Sequence, residues 1–425
     1  MDSNQVIRIG RLSLMMFVQY LIWGAWAPTL GNYMGSIGLG DQISFAYALH
    51  PIACIIGPFF LGMVADRFFD SEKLLGILML IAGVSMLAMP YAAGTGLFIP
   101  LLALHAICYF PTLGLTASLA FHHLKDQEKE FPWVRVFGTL GWAAIGLFMG
   151  YILQDDASTT PLFIGGGAAV FLGLYSFTLP YTPPPSRGQS TNWRQIVGVD
   201  AFAALRDRSF VVFLVAAMLI FIAFGTYFPF APRYFSALHE GFFQGTNLFA
   251  NPSGEMAWGQ VSEIVFMLLI PFFFRHLGVK WMLLLGMLAW VARFAIFAVG
   301  ASAGMFYFVM IGILIHGICY DFFFVTGQIY IDKKTAPEVR GQVQGLLVLL
   351  TQGIGFLLGT QLSGWYVNTQ GLNGTLELTG WTTFWLLFAG GTLVFSVVFA
   401  VLFNDRVADY RAPSADDSTS PPSYD

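Results

Sequence analysis

Charge is what this chain has least of. Only 10% of its 425 residues are Asp, Glu, Lys or Arg, against about 25% in soluble globular domains. With 56% hydrophobic residues and a mean hydropathy of +0.69, that scarcity excludes a water-soluble globular fold and leaves an all-α integral membrane protein. Cysteine is scarce as well. Cys54, Cys108 and Cys319 lie far apart in apolar segments without metal-ligand spacing, so neither disulfides nor a metal site is expected; they read as small buried hydrophobes. No Walker sequence, Gly-rich phosphate loop, metal-ligand cluster or nucleophile elbow occurs. ATP hydrolysis within the chain, a bound cofactor and an enzyme are therefore not expected, and nothing points to a nucleic-acid partner. A removable signal peptide is not expected either: Met1 to Arg11 is short and polar, and the apolar run after it is long enough to stay in the bilayer.

Long apolar runs are what the chain has instead. Windows of spanning length fall at 12–34, 43–65, 74–93, 97–122, 133–154, 161–180, 209–234, 257–274, 279–300, 304–331, 341–367 and 379–403. If the first of these starts in the cytoplasm, the inner segments collect Arg8, Arg11, Arg67, Lys73, Lys125, Lys129, Arg187, Arg194, Arg206, Arg208, Arg275, Lys280, Lys333, Lys334, Arg406 and Arg411, while the outer side keeps only Arg233. The positive-inside rule then predicts cytoplasmic N and C termini. The expected segments are an N-terminal half over 1–180, a polar linker over 181–208, a C-terminal half over 209–403 and a disordered tail over 404–425. Within the linker, Trp193 to Leu205 fits a short interfacial helix. The longest outer loop, Phe235 to Met256, reads either as a lid over the outer mouth or as a passive connection.

The two halves echo one another. His105-Ala106-Ile107-Cys108-Tyr109-Phe110 returns as His316-Gly317-Ile318-Cys319-Tyr320-Asp321, Pro58-Phe59-Phe60 as Pro271-Phe272-Phe273, and Val134-Arg135 as Val339-Arg340, at nearly constant separation. A direct repeat of six helices is the plan of the major facilitator superfamily, with substrate bound near the midplane between the halves. The repeat carries an acid in one copy only. A charge at the bilayer centre costs about 2.5–3.5 kcal/mol on insertion scales, so Asp321 is expected to face a wet space or a partner.

Other polar residues fall on helix faces. Gln260 and Glu263 are three apart on one face of the eighth helix, an amide and a carboxylate suited to a polyol; an ion pair between Glu263 and Arg293 is the structural alternative. Arg135, Thr139 and Trp142 share a face of the fifth helix, offering a cation, a hydroxyl and a stacking plane, although Arg135 also fits snorkelling to the interface. His105 and His316 read as packing residues rather than proton carriers. At the second-to-third turn, Gly62-Met63-Val64-Ala65-Asp66-Arg67 suggests gating by Asp66 and Arg67.

These strings, with Leu21-Ile22-Trp23-Gly24-Ala25-Trp26, Leu30-Gly31-Asn32-Tyr33-Met34, Pro111-Thr112-Leu113-Gly114-Leu115, Arg135-Val136-Phe137-Gly138-Thr139, Gly198-Val199-Asp200-Ala201-Phe202 and Tyr320-Asp321-Phe322-Phe323, resemble the bacterial nucleoside:proton symporters of the major facilitator superfamily. The resemblance implies twelve transmembrane helices in two six-helix halves and a monomer of the inner membrane importing nucleosides by alternating access. It implies substrate contacts from Arg135, Thr139, Trp142, Gln260, Glu263, Tyr320 and Asp321, with Asp321 linked to proton coupling; Glu263 is a second candidate to carry the proton. One departure stands out: Gly225 and Phe228 occupy positions where the family pattern has a Gln and an Asn. Tyr227 or Thr226 would then supply part of the lost polarity. That departure keeps two alternatives open, a symporter or uniporter for a sugar or other small polar solute, and a transporter-like sensor without flux.

Overall fold

A computed structural model describes residues 3–60, 68–184, 207–335, 337–372 and 378–404. Its helices are α1 (Asn4–Ser36), α2 (Ile43–Phe60), α3 (Ser71–Ala92), α4 (Phe98–His123), α5 (Lys129–Leu153), α6 (Thr160–Ser176), α7 (Arg208–Phe243), α10 (Phe306–Lys334), α11 (Gly341–Thr369) and α12 (Leu378–Leu402). α8 and α9 are the two arms of Pro252–Ala303, broken at Gly278 with φ 71°. Among the described residues each of the twelve expected windows holds a helix, in two sets of six; 61–65 of the second window lie outside them. Most of the linker, the tail and the Asp66–Arg67 turn lie outside the described residues.

The repeat governs packing as well as sequence. In the first half α1 packs on α5, α2 on α4 and α3 on α6; in the second, α7 packs on α11, α8 on α10 and α9 on α12. Helices approach this closely without a hydrophobic drive from water because small residues stand at the crossings. Gly225 of α7 is one: a Cβ there would sit 2.4 Å from the Phe356 carbonyl oxygen of α11.

The halves are fastened to each other at the end remote from the chain termini. Asn32 Nδ2 donates to Ser236 Oγ at 3.0 Å, Gln361 Nε2 to the Ser44 carbonyl at 3.1 Å, and Asn368 Nδ2 to the Asp41 carbonyl at 3.0 Å. Where α5 meets α8, Gly150 approaches Gly254 so closely that an added Cβ would lie 2.1 Å from the Gly254 nitrogen. Asp156, in the turn between α5 and α6, closes this corner. Its carboxylate accepts from Ser253 N at 2.8 Å and Ser253 Oγ at 2.6 Å, and its own N–H donates to Asn251 Oδ1 at 3.1 Å. The loop between α7 and α8, for which lid and passive connection were both expected, takes part in the seal through Asn251. Phe249, fully buried between the rings of Phe235 and Phe306, anchors it.

Burial pushes the Asp156 carboxyl up to about 6, against the Ser253 donors that lower it and with Asp155 adding to the rise. An opened corner would return it to water and the ordinary 3.8. The closed corner therefore binds the extra proton: its advantage is full below about pH 4 and fades as pH climbs through about 6. Spin labels at Ala157 and Thr246 should report a longer mean distance as pH rises across that window, and Asp156→Asn should flatten the response.

Candidate functional site

Three charged side chains converge between the halves. Arg135 and Thr139 come from α5, Glu263 from α8 and Asp321 from α10. Thr139 Oγ1 makes a long contact of 3.5 Å to Glu263 Oε1, across the boundary between halves. Arg135, Glu263 and Asp321 lie within Coulombic range of one another. Glu263 is 5% exposed and Asp321 0%, so neither faces lipid. Arg135 folds back over Gly138 and stacks on Tyr20, its Cζ 4.3 Å from the ring centroid. It does not snorkel away.

Asp321 stands apart in having, among the described residues, no hydrogen bond to either carboxyl oxygen, both inaccessible. An ionised carboxylate so placed is expensive unless something compensates it, which leaves a proton, the neighbouring Arg135 or a donor brought by a ligand. The backbone explains its position. α10 is irregular at Ile315 and again over the π-turn Asp321–Val325, a distortion common at functional sites. At the first irregularity the Gly317 N–H donates to Ser262 Oγ at 3.1 Å, pinning α10 to the stretch of α8 that carries Gln260 and Glu263.

Aromatic rings form a wall of their own. Trp142 meets Trp23 edge-on with centroids 4.9 Å apart, and both reach Phe228, at 5.7 and 6.5 Å. Tyr320 stacks on Phe324 at 5.1 Å and leans on Phe224 at 6.0 Å. Phe228, unexpected at its position, is thus part of this wall, whereas Gly225 faces α11 and belongs to a crossing. Of the expected site residues, Arg135, Thr139, Trp142, Gln260, Glu263, Tyr320 and Asp321 come together. Tyr227 is drawn elsewhere: its ring is 2% exposed and carries the Arg293 guanidinium, Cζ 3.7 Å from the centroid.

Two expectations change here. Arg293 does not pair with Glu263; Nη1 lies 2.7 Å from His316 Nδ1. His316 is accordingly a polar link, with Nε2 at 3.2 Å from the Gln260 amide. Its repeat mate His105 remains a packing residue, with Nδ1 on the Ala82 carbonyl at 3.0 Å and an edge contact to Trp26. Sequence reasoning passed over Tyr20 and Trp23, because aromatics are too abundant in this chain to single out; the signal was Trp23 within the Leu21–Trp26 string.

The sequence profile of a family described as "Nucleoside H+ symporter" matches residues 7–408. The chain is 36% identical to the putative nucleoside transporter YegT of Escherichia coli over 422 residues, covering 96% of each chain. It is 28% identical to the nucleoside permease NupG of the same organism, over 96% of this chain and 99% of that one, and 30% identical to its xanthosine permease, over 92% and 94%. The crystal structure of a point mutant of the nucleoside transporter NupG superposes with a TM-score of 0.85 at 27% identity, over 93% of this chain and all of that one.

If Gly225 serves packing, Gly225→Ala should lower thermal stability by about 1–3 kcal/mol through overpacking. Nucleoside affinity of the folded fraction, measured by calorimetry, should stay within about twofold of the parent.

Proposed function

The chain belongs to the nucleoside H+ symporter family, and from that premise we propose how its central residues carry nucleoside:proton symport. It is a multi-pass membrane transporter of the major facilitator fold, not an enzyme. In our reading it works as a monomer of the inner membrane with both termini in the cytoplasm, as the basic inner loops favour. The fastened end is then the outer mouth, shut in the described conformation.

The observation that carries the scheme is Asp321, a buried carboxyl without a hydrogen bond, within reach of Glu263 and Arg135 at the seam between halves. A proton from outside neutralises Asp321. Arg135 is then left to Glu263, and the nucleoside enters a site whose charges are balanced. Gln260 and Glu263 take the ribose, amide donating and carboxylate accepting. The base lies against Trp142, with Phe228 extending the apolar surface where the family pattern would supply an amide. Stacking here replaces hydrogen-bonded readout at one edge of the base, which favours tolerance among bases over strict selection. The loaded transporter rocks about its midplane, the outer seal forms as described, and nucleoside and proton leave inward. Asp66 and Arg67 are proposed to hold the inner gate of the outward-open state.

Vesicles with an imposed pH gradient test this reading. The parent should accumulate labelled uridine above equilibrium, while Asp321→Asn should equilibrate it without accumulating; equal accumulation by both would remove the coupling. Competition by adenosine, inosine, xanthosine, maltose and sucrose defines the substrate class, and a sugar that competes better than every nucleoside would overturn it. Glu263→Gln should weaken uridine binding about tenfold, the loss of one hydrogen bond to a charged group; unchanged calorimetric affinity would count against the ribose assignment.

A further inference from the structure

The C-terminal half contains a polar chain of which this scheme uses only Gln260. Arg293 of α9 has no exposed surface, and among the described residues no carboxylate lies within ion-pair distance of it. Aromatic faces stand in for the missing anion: its Cζ is 3.7 Å from the Tyr227 centroid and 5.2 Å from that of Trp290. Nη1 is 2.7 Å from His316 Nδ1, and His316 Nε2 is 3.2 Å from Nε2 of Gln260.

Proton logic fixes the direction of every bond in this chain. Arginine does not give up its protons in a protein, so Nη1 donates and His316 Nδ1 accepts. An imidazolium has no lone pair to offer, so His316 is neutral, and with Nδ1 bare its proton is on Nε2. Whatever faces Nε2 must then accept. The two ends of a Gln amide have the same shape and are told apart only by their partners. Gln260 satisfies the histidine with Oε1 toward the ring and its NH2 group turned away. Gln260 is half-buried, and its NH2 group, turned away from His316, sits on the helix face that carries Glu263 one turn on.

We propose that Arg293 is a positioning residue for substrate recognition: through His316 it locks Gln260 as a donor beside the acceptor Glu263. The inference rests on the reading of Gln260 as a substrate ligand. A donor and an acceptor one turn apart match neighbouring oxygens of a ribose, one lone pair taken and one hydroxyl proton given. Without Arg293 the imidazole exchanges tautomers and the amide turns over, placing a second acceptor beside Glu263. A ribose oxygen then meets two acceptors and no donor.

The tautomer is measured directly on transporter labelled with 15N in the histidine rings, with His316→Gln used to assign the signal. The parent and Arg293→Lys should show a bare Nδ1 and a protonated Nε2, and Arg293→Met a mixture; a protonated Nδ1 in the parent overturns the proposal. Calorimetry with uridine supplies the second arm. Arg293→Met should bind about tenfold more weakly and Arg293→Lys within about threefold of the parent. The double variant Arg293→Met/Gln260→Ala should bind no more weakly than Gln260→Ala alone. Additive losses would give Arg293 a role independent of the amide and overturn the proposal. Melting curves identify any variant that fails to fold, in which case the parent's tautomer decides. The expected tautomer together with unchanged binding in Gln260→Ala would instead sink the reading of Gln260 as a ligand, while leaving the relay in place.

Discussion

A carboxyl group within an apolar helix, inaccessible from outside and without a hydrogen-bond partner among the described residues, is the constraint on which this structure turns. Asp321 gains neither hydration nor a hydrogen bond where it stands, and the desolvation of a charge there is only partly offset by a cation on the facing helix. Its charge state is therefore tied to what else occupies the seam. Arg135 serves two acids, Glu263 and Asp321, and cannot fully compensate both. In the proposed scheme a proton on Asp321 leaves Arg135 to Glu263, the acid that accepts from the ligand, so proton and ligand act on different carboxyls and each makes the other's arrival easier. Coupling in this picture is a shortage of partners, not a mechanical linkage.

The rest of the architecture makes that shortage possible. Two matched sets of six helices leave a seam between them, and the duplicated sequence lets its two sides differ: Phe110 meets Trp23 edge-on at 5.5 Å where the repeat mate Asp321 has no side-chain hydrogen bond among the described residues. Close crossings through small residues hold each half stiff, so that movement is concentrated at the boundary between them. The end remote from the termini is joined by a handful of polar contacts and one glycine-on-glycine approach. Polar contacts of this kind can exchange for water without unfolding either half.

Much of this was legible in the sequence, and the reason is energetic. An acid in an apolar run is conspicuous because membranes tolerate it only for function, so Asp321 and Glu263 declare themselves. The shared face of Arg135, Thr139 and Trp142 follows from helical periodicity alone. What escaped is whatever depends on which helix lies opposite. Arg293 has an obvious acid to pair with in Glu263, yet the packing of α9 against α10 gives it His316; only three-dimensional neighbours distinguish the two. His105 and His316 are equivalent as sequence, and their divergence into a packing residue and a polar link depends on Ala82 facing one and Arg293 the other. Gly225 looked like a vacancy in a binding site, and is a place where two helices touch. The fastening remote from the termini was nearly invisible, because Asp156, Ser253 and Asn251 are ordinary residues in sequence until the halves meet.

The central claim is that Asp321 is the meeting point of proton and nucleoside. Infrared difference spectroscopy of the purified transporter, recorded on adding uridine and compared with Asp321→Asn, observes that carboxyl directly. A shift of a protonated carboxyl stretch on binding, absent from the variant, is the result predicted. A spectrum in which no carboxyl band responds to the nucleoside, or in which the response survives the loss of Asp321, would contradict it.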